Sequence, residues 1–226
     1  MTRSRRDDLI RTALDLFRQN GYHATGIEKI LSTANVSKPT LYRHFNSKDD
    51  LIVAALQKWD EDSRAWLQQE MERRGRTPRE QVIGLFDALA DWFDSVGFQG
   101  CLFINATVEF AGQDNPIHQV AAAHKRRFAA HVCDLVAAAG AADPDETTER
   151  LMILMEGAIV TAHTHGRSDA AHRAREMADQ ILARCIDDTR ADAAPTRRTT
   201  RPPPSPAAPT HALTPGPPAR SPSGGT

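Results

Sequence analysis

Two short amphipathic segments joined through one non-glycine turn residue leave a chain few ways to fold, and residues 25–48, TGIEKILSTANVSKPTLYRHFNSK, form such a stretch. Ile27, Ile30, Leu31 and Ala34 fall on one face of a helix. Thr25 and Glu28, three apart, predict a capping box at its start, because each side chain can accept a hydrogen bond from a backbone N–H near the other. Asn35 stands where the chain must turn, and asparagine tolerates left-handed backbone better than most residues that carry a Cβ. Val36 then plugs the angle between the helices. Ser37 is the next N-cap, with Pro39 in the first turn, where a missing N–H costs nothing. In the second helix Leu41 and Phe45 are predicted to face the core, and Lys38, Thr40, Tyr42, Arg43 and His44 to face outward. Ser47 with Asp50 caps a further helix. Such a pair is a helix-turn-helix, a geometry that lays its second helix in the major groove of DNA.

The rest of the chain reads as helix. Ile10, Ala13, Leu14 and Phe17 recur at helical spacing and Gly21 follows as a C-cap. Ahead of them Arg3, Arg5 and Arg6 form a basic arm, read either as solvated terminal charge or as a contact to phosphate or minor groove. From Ser47 to about Glu72 the chain has no proline or glycine, which predicts one long connecting helix. After RRGRTP a helix restarts near Thr77, with Val82, Leu85, Phe86, Leu89 and Phe93 giving it an apolar face broad enough to be buried. Cys101–Ala111 is an apolar segment with Asn105 and Glu109 embedded in it, and Ile117–Ala139 is a long helix. Thr147–His165 and Asp169–Cys185 form a hairpin with more apolar surface than a monomer needs to hide. That predicts a homodimer interface, an internal helix pair being the alternative. Of the 14 prolines, only Pro39, Pro78, Pro116 and Pro144 precede residue 190. The expected organisation is therefore all-α: a head over 1–46, a helical body over 47–188 and a disordered Pro-rich tail over 189–226.

Composition excludes several classes. No apolar run reaches the ~18 residues needed to span a bilayer, and MTRSRRDD lacks a secretory signal, so the protein is expected in the cytoplasm, away from membranes. Cys101, Cys133 and Cys185 include no CxxC pair and are read as reduced thiols. Residues 1–50 carry nine Lys+Arg against six Asp+Glu, whereas residues 51–188 carry 14 against 22. A basic head on an acidic body suits a domain that meets DNA fused to one that does not. No nucleophile elbow, phosphate loop or metalloprotease signature occurs, so no enzyme and no cofactor is expected. Glu109, His118, His124 and His163 lack a compact ligand motif, and no metal site is assigned.

The run from Thr25 to Leu51 resembles the tetracycline-repressor (TetR) family of bacterial transcriptional regulators, whose pattern is close to T-[TS]-[VI]-x-x-I-x-x-x-A-G-V-S-x-x-x-L-Y-x-H-F-x-[SN]-K-x-x-L. Leu41-Tyr42, His44-Phe45 and Lys48 all stand in register. Gly26 replaces the usual Thr or Ser, and Asn35 the usual Gly. The resemblance implies about nine helices, a DNA-binding head, a ligand-binding body and dimerisation through the last two helices. GCLFINATVEF and MEGAIVTAHT also look like AcrR-like members.

By that resemblance Thr25 and Lys48, at helix starts, would meet phosphates of a double-stranded operator, and helix N-termini do attract anions. Lys38, Thr40, Tyr42, Arg43 and His44 would face the groove. For a small-molecule pocket the candidates are Trp66, Phe86, Trp92, Phe93, Cys101, Phe103, Asn105, Glu109 and Phe110, a mostly apolar set with few polar groups. Cys101 also stands where a helix dipole favours thiolate, so redox or electrophile sensing competes with plain packing. The expected function is a ligand-released, homodimeric repressor on a near-palindromic operator; a sensor whose head does not act on specific DNA is the alternative.

Overall fold

The computed structural model describes residues 4–166 and 169–186. Arg3 of the basic arm and the tail over 189–226 lie outside the described residues. Nine α-helices and no extended strand occur among the described residues. They are α1 (Arg5–Asn20), α2 (Ile27–Ala34), α3 (Lys38–Tyr42), α4 (Lys48–Arg74), α5 (Pro78–Phe93), α6 (Leu102–Glu109), α7 (Pro116–Ala138), α8 (Pro144–His165) and α9 (Asp169–Cys185).

Local chemistry accounts for most of the boundaries. Ser4 Oγ accepts from Arg6 N to open α1, and Gly21 closes it at φ 82°. Asn35 ends α2 at φ 52°, ψ 49°, the left-handed conformation anticipated for it, and is the one non-glycine residue at positive φ among the described residues. Ser47 Oγ accepts from Asp50 N at 3.1 Å while the Asp50 carboxylate accepts from Asn46 N at 3.1 Å, so α4 starts under a reciprocal cap. Thr77 and Glu80 form a full capping box around Pro78 at the head of α5.

The capping box expected at Thr25 is absent. Gly26 is the N-cap of α2 and supplies no side chain to the task. Thr25 is buried, its hydroxyl shared between the carbonyls of Gly21 at 2.7 Å and Leu16 at 3.3 Å. The spacing to Glu28 is right, but the last turn of α1 offers the hydroxyl acceptors that solvent cannot reach.

Two apolar cores divide the helices. The first gathers α1, α2, α3 and the opening turns of α4, and continues into Leu102, Phe103 and Ala106 of α6 and Ile117 and Ala121 of α7. The second joins Met71 of α4 to α5, α7, α8 and α9. α4 therefore runs through both cores, and α6 is packed as part of the head. In the α8–α9 pair Ala170, Ala171, Ala174 and Ala178 are buried and permit close approach, whereas Ile153 and Val160 of α8 and Met177 of α9 remain exposed.

The turn at Asn35 gives a direct test. Asn35→Ala places a Cβ-bearing residue without a local polar partner in left-handed backbone and is expected to destabilise the fold by about 1 kcal/mol, with Asn35→Gly at least as stable as the wild type. Urea denaturation of the three proteins measures this.

Candidate functional site

The candidate DNA-facing surface is built by a helix of only five residues, too short to be stable alone and held by its inward side chains. Leu41 and Phe45 are buried as expected. Anchoring them turns the rest outward: Tyr42 is 45% exposed, an aromatic ring the core does not claim, and Arg43 and His44 stand exposed just past the helix end. Lys38 is exposed and paired with Glu28 at 2.8 Å, while Thr40 is half-buried with its hydroxyl 2.9 Å from that of Ser37. Lys48 opens α4 with its ammonium 3.5 Å from the His23 carbonyl. Arg6 lies over the Phe45 ring. Thr25 drops out of this set, because its hydroxyl faces inward.

Behind the head lies a cavity of about 380 Å³. Its wall takes Arg18 from α1, Trp59, Asp62, Ser63, Trp66 and Leu67 from α4, Leu89 and Trp92 from α5, Gly100 to Phe103 at the start of α6, His124, Lys125 and Phe128 from α7, and Met155 and Ile159 from α8. Of the nine pocket candidates, Trp66, Trp92, Cys101 and Phe103 line it. The other five candidates do not. Phe86 is wholly buried in the second core, and Phe93 is buried there against Phe98 and Trp92. Phe110 packs instead on Tyr22 and stacks on His23. Asn105 is half-buried on α6 away from the wall, and Glu109 is engaged by the head. Trp59 was legible, seven residues before Trp66 and so on the same helix face. Arg18 carried no such signal, since nothing in a sequence says that a head helix will border a body cavity.

Charge in this region is organised by Asp60, a buried carboxylate of α4. It accepts from Arg64 at 2.7 and 3.3 Å, from His124 Nδ1 at 2.7 Å and from Arg127 at 2.6 Å. Burial alone would raise its pKa, but these three partners outweigh it and hold the carboxyl down at about 2. Burial pushes the His124 imidazole down to about 4, against the pull of Asp60. At neutral pH the ring is therefore uncharged, with Nδ1–H donating to Asp60, and it lies flat on Phe103, centroids 3.6 Å apart. His118 Nδ1 faces the Phe110 carbonyl at 3.0 Å, and no group of three potential metal ligands occurs among the described residues.

The helix that carries Phe103 is bound to the head at both ends. Tyr22 donates its hydroxyl to the Leu102 carbonyl at 2.9 Å. At the other end the Glu109 carboxylate accepts from Tyr22 N at 3.0 Å, from His23 N at 2.7 Å and from the His23 ring at 2.8 Å. Partial burial would raise the Glu109 pKa, but those donors bring it below the usual carboxylate range. α6 thus ties the cavity wall to the head.

The His124–Asp60 pair makes stability depend on pH with a definite sign. An imidazole whose pKa is lower folded than unfolded binds more protons when unfolded. Its stabilising contribution is complete above about pH 6.5 and falls as pH drops toward 4. Asp60, also depressed, adds a second loss from about pH 4 toward 2 in the same direction. Urea titrations between pH 7 and 4.5 should show the wild type losing a large fraction of its stability, and His124→Gln losing distinctly less over that range.

Residues 9–55 match the family model described as bacterial regulatory proteins, tetR family, and residues 78–178 match the tetracyclin repressor-like C-terminal domain. The chain is 25% identical over 185 residues to the HTH-type transcriptional regulator YjdC of Escherichia coli (strain K12), covering 80% of this chain and 95% of that protein. The crystal structure of SCO4454, a TetR-family transcriptional regulator from Streptomyces coelicolor, superposes with a TM-score of 0.76 at 30% identity, covering 81% of this chain and 96% of that one. A putative TetR transcriptional regulator, sav143 of Streptomyces avermitilis, gives 0.74 at 26% identity over 81% and 98% of the two chains. The outward-facing helix α3, the doubly attached α6 and the cavity thus lie in a fold shared with such regulators over about four fifths of the chain: the chain belongs to the TetR family of DNA-binding transcriptional regulators.

Proposed function

We propose that the protein is a repressor that holds a near-palindromic operator as a homodimer and leaves it when a small molecule occupies the cavity behind the head. The observation that carries this reading is the double attachment of α6. Phe103 borders the cavity, while Leu102 and Glu109 of the same short helix bond to the Tyr22–His23 turn between α1 and α2. A ligand that shifts Phe103 must move that turn or break its bonds. The head then changes angle, and the ligand's differential affinity for the two arrangements sets how far DNA affinity falls.

For the DNA side, Tyr42, Arg43 and His44 are the groove-facing groups, with Lys38 and Thr40 at the helix start and Lys48 on a phosphate. The dimer is built on the exposed apolar edge of α8 and α9, at Ile153, Val160 and Met177. Both fit heads spaced about one turn of DNA apart.

Mobility-shift titration against DNA upstream of the protein's own gene tests the reading. Arg43→Ala should weaken a sequence-selective complex roughly tenfold or more, and Lys48→Ala should weaken all sequences alike and flatten the salt dependence. Equal affinity of the wild type for operator candidates and random DNA would sink the proposal. Val160→Glu, on the proposed interface, should sediment as a monomer and lose operator binding; a stable dimer in that variant would move the interface elsewhere.

A further inference from the structure

The cavity wall is mostly apolar, and its charged groups are accounted for with one exception. Asp62 is paired with Lys58 at 2.6 Å, and Lys125 with Glu156 at 3.1 Å. His124 is held by Asp60. Arg18, half-buried on α1, has no carboxylate partner among the described residues, and its guanidinium lies 5.3 Å from the centre of the Trp59 ring. A guanidinium drawn against apolar surface is poorly compensated by a ring face alone; its planar fork matches a carboxylate with two parallel hydrogen bonds. Flat side chains share its cavity: all three tryptophans of the chain, Trp59, Trp66 and Trp92, border it together with Phe103.

We propose that the ligand of this cavity is an aromatic carboxylate, its acid group paired with Arg18 and its ring stacked among Trp59, Trp66 and Phe103. The inference rests on reading the cavity as the effector site. One cation without a carboxylate partner among the described residues suits one negative charge. A phosphate dianion would need a second cation, and Lys125 is already engaged by Glu156. A long aliphatic acid would satisfy Arg18 but gain less from the indole faces, since aromatic pairs attract beyond their buried area. His124 sharpens the choice: with Nδ1–H turned to Asp60, Nε2 has no hydrogen-bond partner among the described residues, and it can accept from a hydroxyl or amine on the ligand ring. The pairing also has a regulatory consequence. Arg18 belongs to the helix whose buried side, Leu14 and Phe17 among it, forms the head core. A carboxylate on Arg18 with its ring against α4 and α6 touches head and body at once.

Calorimetry and tryptophan quenching on the full chain, with 2-naphthoate, its neutral isostere 2-naphthamide, and octanoate as probes, decide the matter. Naphthoate should bind at least tenfold more tightly than naphthamide and more tightly than octanoate. In R18Q the acid-over-amide preference should collapse toward one, while R18K, which keeps the charge, retains part of it; matching melting curves for both variants exclude a folding defect. Equal affinity for naphthoate and naphthamide, or a preference unchanged in R18Q, overturns the assignment to Arg18 and leaves the cavity reading standing. Tighter binding of octanoate overturns the aromatic class. If none of the three probes binds or quenches, the cavity itself fails as an effector site and the inference falls with it.

Discussion

A carboxylate buried in the middle of a 27-residue helix has to be compensated, and the way Asp60 is compensated orders the helices around it. Removing one ion from water costs several kcal/mol even after relaxation, and the attraction of partners offsets this only when the hydrogen bonds are well made. Arg64 comes from the same helix, but His124 and Arg127 come from α7. α4 and α7 therefore cannot slide past one another without leaving a buried oxygen short of donors. His124, fixed by the same bond, lies flat on Phe103 and sets where α6 begins. One ionised group thus places three of the walls that enclose the cavity.

From that seat the geometry propagates to the head. The apolar cluster under α1, α2 and α3 includes residues of α6 and α7, so the head is packed on the body and not merely tethered to it. The polar attachments at Tyr22, His23 and Glu109 sit at the two ends of α6, beyond the apolar contact of Phe103 and Ala106. Dispersion contacts yield gradually, whereas a hydrogen bond to a carboxylate has a narrow geometry. In the proposed mechanism a displacement of α6 is therefore read by the head as bonds kept or lost.

Helix positions were legible in the sequence because their signals are local. Ser47 and Asn35 act within a few residues of themselves and are found in the predicted roles, and α5 starts beside Thr77, where a helix was expected to restart. The inward pair Leu41 and Phe45 followed from helical spacing. Thr25 shows the limit of such reasoning: the local pattern was right for a cap, but α1 presents carbonyl acceptors nine and four residues back that no pattern of adjacent residues reveals. The cavity was half legible for the same reason. Aromatic residues are easily marked as candidates, yet Phe86, Phe93 and Phe110 differ from Trp66 and Trp92 only in which neighbour covers them.

What the sequence determined by itself was the set of helices, the turn at Asn35 and the outward face carrying Tyr42, Arg43 and His44, because period, caps and backbone preference act over one or two turns. Tertiary structure alone decided that Glu109 would serve the head and not the cavity, that Asp60 would find two of its partners 64 and 67 residues away on α7, and that Arg18 would share a cavity with three tryptophans and have no carboxylate partner among the described residues. Those outcomes depend on which buried polar group reaches which donor once the helices are packed, and that is a property of distances in space, to which separation along the chain gives no guide.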